Sequence, residues 1–233
     1  MSKVDFGILY VVSTPIGNLE DITYRAIKIL SSVDYILSED TRVTRKILER
    51  YQIKNKMISY NEKNEIKKIN KIINDLNNNL NIAIVSDAGT PCISDPGFRL
   101  ISNIRDNQLP ISILPIPGAT AAIAALSVSG LPSDNFYFVG FLPKKKGRIK
   151  KINELCLIDA SIIIYESPYR INKTLEDLHE IFGNRKVFIS REMTKIFEEH
   201  TYLNLKSIIN SDYGKNPKGE YVIIVAKKGF KNE

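Results

Sequence analysis

The chain has 233 residues, 43% of them hydrophobic and 25% charged, which excludes a disordered or fibrous protein and leaves room for one large α/β domain or two small ones. Its formal charge of +7 favours a polyanionic partner such as nucleic acid, although solvated surface lysine alone supplies such an excess. Cys92 and Cys156 lie far apart without a Cys-x-x-Cys pair, which excludes a disulfide framework, and neither His179 nor His200 stands at ligand spacing from them, so no metal is expected.

No apolar run approaches a membrane span, and the N-terminus lacks the apolar core of a signal peptide. A cytoplasmic protein with no membrane partner is the expectation. Residues 7–12 (GILYVV) form a continuous, β-branched apolar run that predicts a buried parallel strand. It ends in Ser13-Thr14-Pro15-Ile16-Gly17-Asn18, and Asp21 or Thr23 is placed to cap a helix burying Ala26, Ile27 and Leu30. Strand, glycine-bearing loop and helix follow in the order of a dinucleotide site, but the loop is not GxGxxG and is a weak phosphate signal.

Tyr35–Ser38 is a second strand, ending in Glu39-Asp40-Thr41-Arg42. Two carboxylates and an arginine at a strand's carboxyl end read equally well as catalytic groups or as a helix cap with an exposed salt bridge. A helix over 45–51 and a strand over 57–60 follow. The helix over 65–76 sets Ile66, Ile69, Ile72, Ile73 and Leu76 on one face.

Residues 82–97 (IAIVSDAGTPCISDPG) begin as a strand and then run through Ser86, Asp87, Ala88, Gly89, Thr90 and Pro91 to a second turn at Ser94-Asp95-Pro96-Gly97. A buried strand feeding a long loop of small residues is where open α/β sheets place ligands. A helix over 98–105 and a strand over 111–114 complete a doubly wound unit of five strands and four helices. Pro115-Ile116-Pro117-Gly118 reads as a hinge, so the chain divides into 1–116 and 117–233.

The second half opens with an alanine-rich helix over 119–128, whose start at Gly118 and Thr120 leaves N–H donors for an anionic group. A strand over 136–142 leads into Lys144, Lys145, Lys146, Gly147 and Arg148, and with Lys150 and Lys151 this places six cations in eight residues. Cations are unfavourable at a helix N-terminus, so a phosphate-backbone contact explains the run better than a solvated helix start. Strands follow over 161–165, 186–190, 198–205 and 220–227, with a helix through Phe182, a short helix over 206–210 and a polar loop over 212–218. Short connections between the later strands predict an α+β half with antiparallel pairing.

The segments TPIGNLEDIT, SEDTR, SDAGTPCISDPG, PIPGATAAIAAL, GFLPKKKGR, YESPYR and ISREMTK occur in this order across nearly the whole chain. The set closely resembles the ribosomal small-subunit RNA methyltransferase I family, within the class III, tetrapyrrole-methylase-like S-adenosylmethionine-dependent enzymes. The resemblance implies a two-domain α/β homodimer, an N-terminal parallel domain and a C-terminal mixed one, with the cofactor in the cleft between them. It implies 2′-O-methylation of a cytidine ribose in the decoding region of 16S ribosomal RNA on the small ribosomal subunit. For S-adenosylmethionine it implies contacts from Pro15, Ala88, Gly89, Thr90, Ile93, Thr120 and Ala121, with Asp87 shaping the loop or touching the cofactor. It carries two further cofactor contacts onto Glu166, which stands where tetrapyrrole enzymes often have methionine, and Met193, where they often have glycine.

Transfer to a ribose hydroxyl asks for a general base, and Glu39 and Asp40 are the first candidates. The resemblance sets Glu39 near a proton-accepting aspartate of tetrapyrrole methylases. Glu192, Lys195 and Glu62 rank behind them. Arg42, Lys144, Lys145, Lys146 and Arg148 are the expected RNA contacts. Many members of the family continue past the final strand, whereas this sequence ends at Glu233, so the loop over 144–151 is expected to carry more of the RNA binding. Competing readings are another methyltransferase of the superfamily, acting on a tetrapyrrole or a protein, and a non-catalytic ribosome-assembly factor.

Overall fold

A computed structural model describes residues 6–211, 213 and 217–230; most of the polar loop expected over 212–218 lies outside the described residues. The chain divides into two compact units, Met1–Thr120 and Ala121–Glu233. The first contains β1 (Ile8–Val12), α1 (Tyr24–Ser32), β2 (Tyr35–Ser38), α2 (Thr41–Arg50) and β3 (Met57–Ser59). It continues through α3 (Glu65–Asn77), β4 (Ile82–Val85), α4 (Phe98–Asp106) and β5 (Ser112–Ile116).

The five strands pair in parallel in the order β3-β2-β4-β1-β5. Period-two alternation sorts their side chains into two cores. Leu9, Leu37, Ile82 and Ile84 pack with Ile69, Ile72, Leu76, Leu100 and Ile104 of α3 and α4. Val12, Ile36, Ala83 and Val85 pack on the opposite face with Ala26 and Leu30 of α1 and Leu48 of α2. A strand buried on both faces must be apolar without a break, which is why these segments read as continuous runs.

Two elements differ from the sequence expectation for identifiable reasons. Helix α2 begins at Thr41 rather than residue 45, because the Asp40 carboxylate accepts from the Arg42 N–H and caps it. Ile66, expected on the apolar face of α3, is 65% exposed. At that turn the inward position is taken by Glu65, which is buried and pairs with Arg99 of α4 at 3.4 Å.

The second unit holds α5 (Ala121–Val128), β6 (Phe136–Phe141), α6 (Arg148–Cys156), β7 (Ser161–Glu166) and α7 (Ile171–Phe182). It ends with β8 (Lys186–Arg191), β9 (Glu199–Asn204), α8 (Leu205–Ile209) and β10 (Tyr221–Val225). Its sheet runs β6-β7-β10-β8-β9. Strands β6 and β7 are parallel, and the remaining pairs are antiparallel. The expected antiparallel pairing thus holds for four of the five strands. β6 is the exception because α6 intervenes between β6 and β7 as a crossover. Ile162, Ile164, Ile189, Ile223 and Val225 line its core against α6, α7 and α8.

Candidate functional site

All five strands of the first sheet point the same way, so their carboxyl ends share one edge. Within that edge, β1 and β4 are neighbours whose following helices α1 and α4 pack on opposite faces. This is a topological switch point, where the diverging connections leave a crevice. The loops leaving β1, β4 and β5 are bound to one another there. Thr14 N–H donates to the Gly89 carbonyl at 2.9 Å, and Gly89 N–H donates back to the Thr14 carbonyl at 3.1 Å. The Thr14 hydroxyl donates to the Ser86 carbonyl at 3.2 Å. The Ser13 and Thr90 hydroxyls lie 3.0 Å apart, and Thr90 in turn donates to the Ala119 carbonyl at 3.2 Å.

Two glycines make this knot possible. Gly89 has φ +82°, a region L side chains rarely occupy. A Cβ on Gly118 would stand 2.8 Å from the Ser13 Cβ, so the loops after β1 and β5 can approach only if residue 118 has no side chain. Pro15 is buried beside the knot, Ala88 is exposed at its rim, and Ile93 presents 51% of its surface. Thr120 is half-buried at the end of the unit.

Carboxylates gather on the same edge. Asp87, after β4, accepts from the Asp40 N–H at 2.9 Å. Asp40 is the N-cap of α2 and takes the Arg42 guanidinium through both carboxylate oxygens. That pairing holds the Asp40 carboxyl down at about 2, so it is a poor proton acceptor at neutral pH. Arg42 remains largely exposed beside it. Glu39 has the opposite electrostatics. Partial burial, and then the negative charges of Asp87 and Asp95, push its carboxyl above the ordinary range. Burial likewise raises Asp87, and it brings Asp95 to about 6 with Asp87 adding to the effect. The cap-and-salt-bridge reading of SEDTR therefore describes Asp40 and Arg42, whereas the Glu39 carboxyl is shifted the other way. The contribution of Asp95 was not anticipated; its signal was a carboxylate in the second turn of the long loop after β4.

In the second unit, Ala121 and Ala122 open α5, and the Ala122 N–H donates to the Tyr165 hydroxyl at 3.1 Å, which uses one of the donors expected to be open. Lys144, Lys145 and Lys146 are exposed. Arg148, expected among the RNA contacts, is 8% exposed. Its Nε donates to Asp177 at 2.8 Å, its Nη2 to Thr174 at 2.7 Å and its Nη1 to the Pro143 carbonyl at 3.3 Å. The guanidinium is therefore spent inside the unit, because two acidic side chains and a hydroxyl of β7 and α7 face it.

Glu166, implied as a cofactor contact, is buried in the same network. Its carboxylate pairs with Arg170 at 2.7 Å and accepts from Thr174 at 2.6 Å and from the Ser167 N–H at 2.7 Å. Met193 is 9% exposed, in a turn whose neighbours Glu192 and Thr194 have φ of +52° and +65°. Glu192 braces that turn by accepting from Lys195 at 2.8 Å and the Glu220 N–H at 3.0 Å. These bonds hold its carboxyl below the ordinary range against the opposing effect of burial, which counts against it as a base.

Residues 8–209 match the family model of the Tetrapyrrole (Corrin/Porphyrin) Methylases. The chain is 46% identical over 231 residues to ribosomal RNA small subunit methyltransferase I of Halalkalibacterium halodurans, with 98% of this chain and 79% of that one covered. It is 44% identical over 222 residues to the Thermotoga maritima protein of the same name, covering 95% and 99% of the two chains. The Bacillus subtilis protein of that name is 43% identical over 232 residues, covering 99% and 78%. Among solved structures, the methyltransferase CobJ superposes with a TM-score of 0.72 at 17% identity over 97% of each chain. Diphthine synthase does so with 0.71 at 14% identity, over 97% and 92%; at such identities the likeness carries the fold alone. The chain belongs to the tetrapyrrole methylase family and, within it, to the ribosomal RNA small subunit methyltransferase I family.

Proposed function

We propose that this chain transfers a methyl group from S-adenosylmethionine to the 2′-hydroxyl of a cytidine in the decoding region of 16S ribosomal RNA. The observation that carries the reading is identity of 43% to 46% to relatives named ribosomal RNA small subunit methyltransferase I, over 95% to 99% of the chain. The seven ordered motifs narrow it to the ribose of a cytidine through the resemblance they carry.

The loops after β1, β4 and β5 fit such a cofactor. Residues 88–90 carry no charged side chain, Ala88 is exposed beside buried Gly89, and Ile93 offers apolar surface. Pro15, Asp87, Ala88, Gly89, Thr90, Ile93 and Thr120 would hold it. When bound, S-adenosylmethionine supplies an electrophilic methyl group on a sulfonium whose departure leaves a neutral thioether.

The protein's part is to orient the ribose and take its proton. Glu39 is the residue we assign as general base. Its carboxyl directly follows β2 and its proton affinity is raised by burial and by Asp87 and Asp95. Asp40 fixes the start of α2 and with it the direction in which Glu39 is presented. Lys144, Lys145 and Lys146 contact RNA phosphates, and Arg42 is free enough of burial to join them. The same reading takes the enzyme as a cytoplasmic homodimer, on the resemblance alone; sedimentation measures the dimer.

The decisive experiment incubates the protein with labelled S-adenosylmethionine and small subunits lacking the modification, then maps the label. Label on one cytidine ribose is expected. No ribose label on subunits or on naked RNA sinks the reading, and label on a base or a protein replaces it with a different substrate. Glu39→Gln is expected to keep cofactor affinity while slowing transfer by about 10²- to 10⁴-fold. Normal turnover by that variant removes Glu39 from the role.

A further inference from the structure

Around the lysine loop the second unit exposes aromatic surface that its core does not use. Tyr169, in the turn between β7 and α7, is 95% exposed, and Phe141, the last residue of β6, is 56% exposed. Both lie next to residues that are firmly held. Arg170, directly after Tyr169, donates through Nη1 to the Leu142 carbonyl at 2.9 Å and pairs with buried Glu166 at 2.7 Å. Arg148, directly after the lysines and Gly147, donates to the Pro143 carbonyl. The two carbonyls at the root of the lysine loop are thus fixed by two arginines. Thr174 links Arg148 to Glu166 as well, since its hydroxyl accepts from Arg148 and donates to the Glu166 carboxylate.

We infer that Tyr169 and Lys144–Lys146 together form a contact for unpaired RNA, with a base stacked on the Tyr169 ring and neighbouring phosphates on the lysines. The inference rests on the RNA-binding role given to the loop above and adds to it the kind of RNA taken. Lysines alone do not distinguish a single strand from a duplex, because both present phosphates. An exposed aromatic ring does, since it stacks only on a base face that is out of the helix. The Glu166–Arg170–Arg148–Asp177 set ties the turn that carries Tyr169 to the root of the lysine loop, through the bonds to the Leu142 and Pro143 carbonyls. It acts as a positioning device: Glu166 and Asp177 are each 1% exposed and do not themselves reach RNA.

The test measures binding of the full chain to a labelled unpaired RNA of about a dozen nucleotides, a length matched to single-strand sites. The same strand annealed to its complement is measured in parallel. The unpaired strand is expected to bind more tightly. Tyr169→Ala is expected to weaken it about ten- to hundred-fold and to leave the duplex unaffected. Tyr169→Phe, which keeps the ring, is expected to bind as the parent does. The salt dependence separates the two parts. Replacing Lys144, Lys145 and Lys146 by alanine should reduce the log–log slope by about 2, whereas Tyr169→Ala leaves it unchanged.

Equal loss on unpaired RNA and duplex, or a Tyr169→Phe variant as weak as the alanine, overturns the inference. A lysine effect with silent Tyr169→Ala overturns it while leaving the loop's RNA role standing. An unchanged slope in the triple-lysine variant removes both.

Discussion

Two adjacent carboxylates, Glu39 and Asp40, follow the same strand and have proton affinities shifted in opposite directions by what each one faces. Asp40 turns to the guanidinium and the backbone N–H of Arg42 at the start of α2, which favour its charged form. Glu39 turns to a half-buried space bordered by Asp87 and Asp95, which favour its neutral form. The consequence for rate against pH has a definite sign. As the proposed base, Glu39 must be deprotonated, and its affinity is raised, so activity should fall on acidification at a higher pH than an ordinary glutamate would give. Asp87 is one source of that rise, and asparagine there keeps an oxygen to accept the Asp40 N–H. Asp87→Asn is therefore expected to move the acidic limb of the kcat/KM profile to lower pH, with little loss of fold. A limb that stays in place, or that survives in Glu39→Gln, assigns the titration to another group.

At the scale of elements, the long connection between β4 and α4 concentrates cost. Cys92 and Ser94 have φ of +69° and +64°, conformations that side chains other than glycine seldom adopt. In the same segment Asp95 is brought to about 6 by burial, with the charge of Asp87 adding to it. A carboxyl whose folded value lies above its unfolded one binds its proton more tightly in the native state. Stability is then lost as pH rises from about 4 to about 6. Asp95→Asn should accordingly stabilise the protein at pH 7 by roughly 1–2 kcal/mol, allowing for solvent screening. The gain should vanish below about pH 4, near the ordinary carboxylate value; urea unfolding at the two pH values measures it, and an equal gain at both refutes the electrostatic account. The same loop marks how far sequence reaches. Its position after a buried strand is legible, because a strand covered on both faces must be an unbroken apolar run. Its electrostatics are not, because Glu39, Asp87 and Asp95 meet only when β2 and β4 pair. Arg148 is the parallel case: within a run of six cations nothing in composition tells which one turns inward, and the decision is made by Asp177 and Thr174 on α7, far along the chain.

At the scale of the whole molecule, the chain combines two units that each close a core around a five-stranded sheet. The first keeps its chemistry-bearing side chains on loops at one sheet edge, so these can vary without disturbing the cores beneath. A ligand bound there adds to the stability of the folded state by mass action, about 2.7 kcal/mol when its concentration is one hundred times Kd. For a chain of this length that corresponds to roughly 5–10 °C in the thermal midpoint if it unfolds cooperatively. S-adenosylmethionine is therefore expected to raise the midpoint by that order, and Ala88 allows the cause to be located. Its side chain is exposed, so Ala88→Trp should leave the midpoint of the protein alone unchanged while filling the approach to Gly89. The variant should show no upward shift with S-adenosylmethionine and no methyl transfer. A shift as large as the parent's means that the ligand does not lie against the loop after β4, and a midpoint lowered without ligand means that Ala88 supports the fold rather than the site.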